Sequence, residues 1–392
     1  MPRTTGTYRV FTFAGVSRVG GARGEEVRAF VPRPLPPADP PLVLDDRLSA
    51  LHAEAVASVG KLGVASAMVP SAQWFLYGFV RKEAVISSEI EGTQATLQDV
   101  VTFEATRRAD RPDDVREVCN YVDALAFARK ELASAKGLPL STRLLCAAHK
   151  RLMRGVRGAG KLPGELRRSQ NWIGGTRPGN ARFVPPPPEA VPDLMAQLEK
   201  WLHADDTLPP LVKAGLAHVQ FETIHPFLDG NGRIGRLLIT LLLEHWGLLE
   251  RPMLYLSLAL KRHQQQYYAQ LTAVRDGGDW EGWTAFYLEC VREAADDGVR
   301  AAERLFALLG KDRARLIGHD SVTLPAVRLL DLLPSSPVVT LPRAIELLGV
   351  SKPTAIKAIS ALQEAGILRE TSGKRRDRIY AYQKYLDLLT GR

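Results

Sequence analysis

A chain of 392 residues with 45% apolar and 24% charged side chains has the make-up of a folded protein that lives in water, and it is too long for one ordinary core, so two or three domains are expected. Its three cysteines, Cys119, Cys146 and Cys290, are far apart and form no CxxC pair, which excludes a disulfide framework or a cysteine zinc site and fits a reducing compartment. The formal charge of +9 is uneven: residues 337–392 hold ten Lys/Arg against five Asp/Glu, a basic end that either meets an anionic partner or only aids solubility.

Taken in chain order, the opening MPRTTGTYRVFTFAG has no apolar stretch before a small-residue cleavage site, so no secretion signal is read. The segment "FVPRPLPPADPPLVLDD" (30–46) is proline-rich and expected to be extended, lying across its own fold or serving a proline-reading domain. "SAQWFLYGFVRKEAVISSEIEG" (71–92) predicts a helix with Leu76, Phe79, Val80, Ile86 and Ile90 near one face, closed by Gly92. Further helices are expected at about 114–135, 141–154, 190–203, 209–224 and 233–246. Among them, "GELRRSQNWIGGTRPGNARFVPPPP" (164–188) predicts a short hairpin or flap. The longest apolar run, Leu237 to Leu249, is interrupted by Thr240, Glu244 and His245 and falls short of the roughly 20 residues a membrane span needs, so a cytoplasmic protein without membrane contact is expected. Residues of roughly 293–316 predict a joining helix. The tail then reads as helix, turn at Gly349–Ser351, helix, strand, basic turn and strand, the order of a winged helix-turn-helix.

The densest chemistry lies in "TIHPFLDGNGRIGRLL" (223–238). Gly230, Gly232 and Gly235 spell GxGxxG, but a dinucleotide fingerprint follows a strand, whereas "LVKAGLAHVQFETI" is periodic as a helix. The loop instead feeds a helix N-terminus, where unpaired N–H groups and the dipole favour an anion. Arg233 and Arg236 share one face of its opening turns, the wrong helix end for cations unless a polyphosphate sits there. Asp229 offers a hard oxygen ligand for Mg2+, and His225, held by Pro226, a general base. Base, metal ligand, anion cradle and two clamps together describe phosphoryl or nucleotidyl transfer. The bland alternative is a satisfied structural histidine beside solvent-facing arginines.

This segment resembles, without a gap, the HxFx(D/E)GNGRxxR signature of the Fic family. The likeness extends through "EAVISSEIEGT", "GELRRSQNWIGG" and "YYAQLTAVRDGGDWEGW", covering roughly residues 30–295. It implies a mainly α fold: a Fic-type helical core with a small β-hairpin flap, plus the C-terminal winged helix-turn-helix domain. The expected division is 1–110, an N-terminal region with an inhibitory helix; 111–295, the catalytic core; 296–317, a linker helix; and 318–392, the winged helix. The resemblance implies a protein adenylyltransferase (AMPylator) that uses ATP and Mg2+. His225 would deprotonate a Ser, Thr or Tyr hydroxyl of a target protein, or of the chain itself, and Asp229 would hold Mg2+. Gly230, Asn231 and Gly232 would bind phosphate oxygens, with Arg233 and Arg236 on the β- and γ-phosphates. The flap residues Ile173, Gly174, Gly175 and Thr176 would cover the nucleotide and could pair with a target strand. Tyr267 and Tyr268 lie where the family contacts the nucleoside, or are packed aromatics. Nucleotides other than ATP stay open.

Ser87, Glu91 and Gly92 of "SSEIEG" match the family's (S/T)xxxE(G/N) inhibitory motif, which implies that Glu91 competes with the γ-phosphate for Arg236. A variant reading has Glu91 align water for removal of AMP, giving a bifunctional enzyme. The tail carries the rival reading, a DNA-binding regulator whose core is a nucleotide sensor. There Ser351 is the expected N-cap, with Lys352, Thr354 and Lys357 facing outward and Ile356, Ile359 and Leu362 inward. Lys374, Arg375 and Arg376 of "GKRRDR" would meet phosphates. Such modules also bind proteins or form homodimers.

Overall fold

The computed structural model describes residues 4–13, 24–67 and 72–391, apart from the side chains of 66–67 and 72–75. In chain order the elements begin with β1 (Gly6–Phe13), β2 (Glu25–Pro32), α1 (Asp46–Ala67), α2 (Ala72–Ile90), α3 (Leu97–Thr106), α4 (Pro112–Ala133) and α5 (Thr142–Leu152). They continue with α6 (Val191–Leu202), α7 (Pro210–Ile224), α8 (Asn231–His245), α9 (Leu256–Arg262), α10 (Gln264–Gly277) and α11 (Trp280–Ile317). The last part holds α12 (Leu324–Leu332), β3 (Val338–Thr340), α13 (Leu341–Leu348), α14 (Lys352–Glu364), β4 (Arg369–Glu370), β5 (Ile379–Ala381) and α15 (Gln383–Thr390). The mainly helical fold expected from periodicity is the one observed, with α4 to α8 close to their expected spans. The β1–β2 ribbon and helices α1 and α3 were not expected. Ser71, where the second helix was expected to start, lies outside the described residues.

Two compact units form. One comprises Met1–Val56, Asp123–Leu248 and Ala259–Arg292; the other comprises Ala57–Val122, Leu249–Leu258 and Glu293–Arg392. The expected linker helix is part of α11, which runs unbroken from Trp280 to Ile317 and passes through Gly298 with no proline to break it.

The first unit is built around α7. Pro210 at its first position has no N–H to leave unpaired. Leu211, Val212, Leu216, Val219, Phe221 and Ile224 are each at most 1% exposed, and burial of each large side chain contributes roughly 1.5–3 kcal/mol. The helix is buried on every side, so its polar residues need partners. Lys213 donates to the Ala204 carbonyl and pairs with Asp206, His218 Nε2 meets the Tyr267 hydroxyl at 2.8 Å, and Gln220 donates to the Arg33 carbonyl. Gly235 of α8 lies against α7: a Cβ there would sit 2.4 Å from Glu222 Oε1. The third glycine of the motif thus serves helix packing. β1 and β2 pair antiparallel, and the Phe30 N–H donates to the Val184 carbonyl, laying the ribbon beside the flap.

In the second unit, α2 packs on α3, α15 and the 3-10 turn Leu333–Ser335. Arg81 stacks 3.5 Å over Tyr77 and bonds Glu104 of α3, which also accepts from the Tyr77 hydroxyl. Glu83 is buried against the backbone and hydroxyl of Ser257. Farther along the chain, α12, α13 and α14 pack together beside an antiparallel sheet of order β3–β5–β4. The expected order of helix, turn, helix and hairpin is present. One position differs: Ile356 was expected to face inward but is 44% exposed, and Ala355 is buried in its place. A small residue at 355 allows α14 to lie close to its neighbours.

Candidate active site

His225 caps the C-terminus of α7 in a left-handed conformation, φ 51° and ψ 60°, which costs a non-glycine residue about 1–2 kcal/mol. The surroundings hold it there. Its N–H donates to the Phe221 carbonyl, and Arg167 donates through Nε to the His225 carbonyl at 2.9 Å. The same guanidinium reaches the carbonyls of Pro186 at 2.5 Å and Ile224 at 3.4 Å, while the Arg167 N–H donates to the Pro226 carbonyl. Arg167 is 2% exposed. Burial lowers its pKa to about 10, still charged at neutral pH. Asn171 donates to the Phe227 carbonyl, and Glu222 Oε2 lies 4.0 Å from His225 Nδ1.

Asp229 follows on the same loop. Burial raises its carboxyl pKa, but the bond and charge of Lys161, the Gly230 N–H and the charge of Arg233 outweigh it, so the group stays below its usual range. Lys161 Nζ stands 3.0 Å from Asp229 Oδ2, and the Gly230 N–H donates to Oδ1 at 2.7 Å. Behind the loop, His149 stacks on Phe227 with centroids 3.9 Å apart. Its Nδ1 accepts from the Gly164 N–H, so Nε2 carries the proton and donates to the Asp229 carbonyl at 3.0 Å. Burial, chiefly, pushes the His149 pKa down to about 4, which keeps the ring neutral.

Gly230 sits at φ +76° as the N-cap of α8, a conformation suited to glycine. Arg233 and Arg236, on the opening turns, are each 3% exposed, so the solvent-facing alternative does not hold. Asn231 lies at the start of α8. Its side chain is 2% exposed and bridges the N–H and carbonyl of Phe227, both at 2.8 Å. It fixes the loop's shape.

The flap is a hairpin closed by one antiparallel bridge between Ile173 and Phe183. Gly174 and Gly175 take φ near +70°, and Asn180 Oδ1 accepts from the N–H groups of Thr176 and Arg177. Residues 174–176 are exposed at its tip.

Residues 139–243 match the profile of the Fic/DOC family, and residues 49–130 match that of the Fic/DOC family N-terminal region. Two segments of the chain thus carry the Fic/DOC domain and its N-terminal region. It is similar to a probable protein adenylyltransferase of Aquifex aeolicus, 26% identical over 253 residues that make up 64% of this chain and 63% of that protein. It is also similar to the protein adenylyltransferase Fic of Drosophila erecta, 29% identical over 212 residues, 53% of this chain and 39% of that protein. The chain thus spans less than two thirds of either relative. A solved Fic family protein from Desulfovibrio desulfuricans superposes with a TM-score of 0.57 at 25% identity, covering 87% of this chain and 97% of that one. A Fic domain containing signaling protein from Bacteroides thetaiotaomicron shares the fold, with a TM-score of 0.52 at 18% identity, covering 64% and 97%.

The first unit brings together His225, Asp229, Gly230, Asn231, Gly232, Arg233 and Arg236 on one loop and helix start. Tyr267 takes the packed alternative: it is 2% exposed, bonded to His218 and tilted against Trp283, because α10 turns that face into the core. Tyr268 is 40% exposed. Ser87, Glu91 and Gly92 belong to the second unit. Ser87 is buried, and α2 ends in a Schellman turn in which the Gly92 and Thr93 N–H groups donate to the Glu89 and Ser88 carbonyls. Gly92, at φ +93°, makes that turn and leaves Glu91 exposed at the C-cap. Sequence reasoning missed Arg167, His149, Asn171 and Lys161. Arg167 and Asn171 lie in the quoted "GELRRSQNW", but spacing does not reveal which arginine is buried.

Proposed function

We propose that the chain is a protein adenylyltransferase that moves AMP from ATP to a hydroxyl side chain of a target protein, and to itself. The observation that carries this reading is a histidine locked in a strained backbone conformation two turns of chain from two buried arginines at a helix start. In the proposed reaction His225 takes the proton of the hydroxyl, whose oxygen forms a bond to the α-phosphorus as the bond to the bridging oxygen breaks. Pyrophosphate leaves. Gly230, Gly232 and the backbone of Asn231 receive phosphate oxygens, and Arg233 and Arg236 clamp the β- and γ-phosphates, so catalysis is mainly positioning and charge neutralisation. The flap tip, Ile173 to Thr176, covers the nucleotide and offers a strand edge to an extended target segment.

Asp229 would hold Mg2+. Its ionised carboxylate already draws a cation, the Lys161 ammonium, to Oδ2, which fits a hard divalent ion. Among the described residues no group of three or more His, Cys, Asp or Glu could form a cage, which suits an ion that takes most ligands from phosphate and water. Bound there, the ion would neutralise phosphate charge.

In the same reading Glu91 is a brake that competes with the γ-phosphate for Arg236. Incubation with α-32P-ATP tests the whole scheme. Glu91→Gly is expected to label itself at least about 10-fold faster than the natural chain, since a misplaced phosphate costs up to ~100-fold. His225→Ala in that background is expected to abolish labelling, and γ-32P-ATP to leave no label. Label retained from the γ-phosphate would replace AMP transfer with kinase chemistry.

A further inference from the structure

The C-terminal module presents two basic elements. α14 buries Ala355, Ala358, Ile359, Ala361 and Leu362 and packs on α12 and α13. Its opposite arc exposes Lys352, Ile356 and Lys357. The turn between β4 and β5 is folded by Glu370, whose carboxylate accepts from the N–H groups of Ser372 and Gly373. That carboxylate is committed to the turn, so the exposed run Lys374, Arg375 and Arg376 faces water with Asp377 as its one acid, while Arg378, also exposed, donates through Nε to the Lys374 carbonyl. A duplex carries one negative charge per about 1.7 Å of axis and matches such a surface. B-form DNA fits better than double-stranded RNA, whose major groove is too narrow for a helix such as α14. Ile356, 44% exposed amid lysines, can meet a thymine methyl in that groove.

The module is also fitted to α2. Tyr385 and Leu389 of α15 lie against Gly78: a Cβ at that glycine would come within 2.8 Å of Leu389 Cδ1 and 3.3 Å of the Tyr385 hydroxyl. Tyr385 is buried and donates to the Pro334 carbonyl in the 3-10 turn that packs on α2. β3 packs on α3, which Glu104 ties back to Tyr77 and Arg81. Close-packed contacts of this kind transmit displacement instead of absorbing it. The helix they grip ends at Glu91.

We propose that α14 and the β4–β5 hairpin bind double-stranded DNA through its phosphate backbone, and that the module carries this occupancy into α2. The DNA site stands by itself; its effect on labelling rests on the reading of Glu91 given above. The full chain is titrated with a fluorescent duplex of about two helical turns, by anisotropy, between about 50 and 200 mM KCl. Five or six phosphate contacts predict an affinity loss of about 1,000-fold over that range, and K374A/R375A/R376A should remove about half of the logarithmic salt slope. Hydrogen exchange of the amides across 78–91 is expected to change at least about 5-fold on duplex binding, and not in the triple variant. Duplex is expected to change self-labelling of the natural chain and to leave Glu91→Gly unaffected. Affinity that ignores salt or the triple variant overturns the site, and binding with no change in α2 exchange overturns the transmission. If Glu91→Gly does not label at all, the transferase reading fails, while the binding and exchange measurements still decide the proposal.

Discussion

Arg167 makes no appearance in the signature segment, yet its removal is expected to cost more than that of any residue outside the segment. In Arg167→Met the carbonyls of His225 and Pro186 lose bonds of 2.9 and 2.5 Å, and those of Ser169 and Ile224 lose longer ones of 3.4 Å. Leaving the buried Pro186 carbonyl unsatisfied costs about 1–3 kcal/mol, and the part-buried His225 carbonyl, which keeps Asn171 at 3.5 Å, adds less, so a loss of roughly 2–4 kcal/mol is expected. The larger consequence is positional. His225 sits at φ 51° against its own preference, and without the guanidinium the residue relaxes toward ordinary backbone angles. Under the proposed reaction, a shift of about 1 Å at His225 lowers kcat by ~100-fold while nucleotide affinity changes little. Urea midpoints give the first quantity, and self-labelling rates across ATP concentrations, in the Glu91→Gly background, give the second. Arg167→Lys keeps the charge but loses the fork, and should recover stability more than rate. A variant that loses stability and keeps its kcat would show that Arg167 only supports the fold.

Two further outcomes follow from charge. Lys161 occupies Asp229 Oδ2, so under the proposed reaction Lys161→Met frees the carboxylate, and the Mg2+ concentration for half-maximal labelling is expected to fall by about 3- to 10-fold. An increase would assign Lys161 to the phosphates instead. The second outcome concerns His149 and His218, whose pKa values burial lowers to about 4 and about 3. Folded, both rings stay neutral below pH 6.5, whereas in the unfolded chain they protonate near that value. The unfolded chain then binds more protons, so stability is full above pH 6.5, is lost as pH falls, and levels off for His149 near pH 4. From pH 7 to pH 5 each histidine should remove about 2 kcal/mol. Urea midpoints at the two pH values measure it, and an unchanged midpoint would contradict the burial of these rings.

What the sequence discloses is set by the range of the physics. Periodicity is local, so α4 to α8 were legible, as was the hairpin from its glycines and prolines. The density of polar groups between His225 and Arg236 was legible for the same reason. Longer-range facts were not. The burial of Tyr267, the engagement of Asn231 with Phe227 and the four carbonyls gathered by Arg167 depend on segments that meet only in the fold. Ile356 was assigned inward because its period fits, but Ala355 fits equally, and packing against α12 and α13 made the choice. The ribbon of β1 and β2 escaped notice because β1 is mostly exposed and has no buried face to mark its period.

Gly92 allows the proposed brake to be tested without touching the Glu91 carboxylate. The Schellman turn needs φ +93° there, and a Cβ would meet nothing within 4 Å. Gly92→Ala therefore acts through the backbone alone, at a cost of about 1–2 kcal/mol. That energy exceeds the stability of a fraying helix end, so the last turn of α2 should open and Glu91 lose its fixed place. A glutamate at a helix C-terminus is also opposed by the dipole, by about 0.3–1 kcal/mol. Self-labelling by Gly92→Ala is expected to rise about 3- to 10-fold over the natural chain, below Glu91→Gly, because the loosened carboxylate still visits its site. Labelling that stays at the natural level, while Glu91→Gly is active, would mean that the turn does not hold the brake and that its grip comes from elsewhere on the helix.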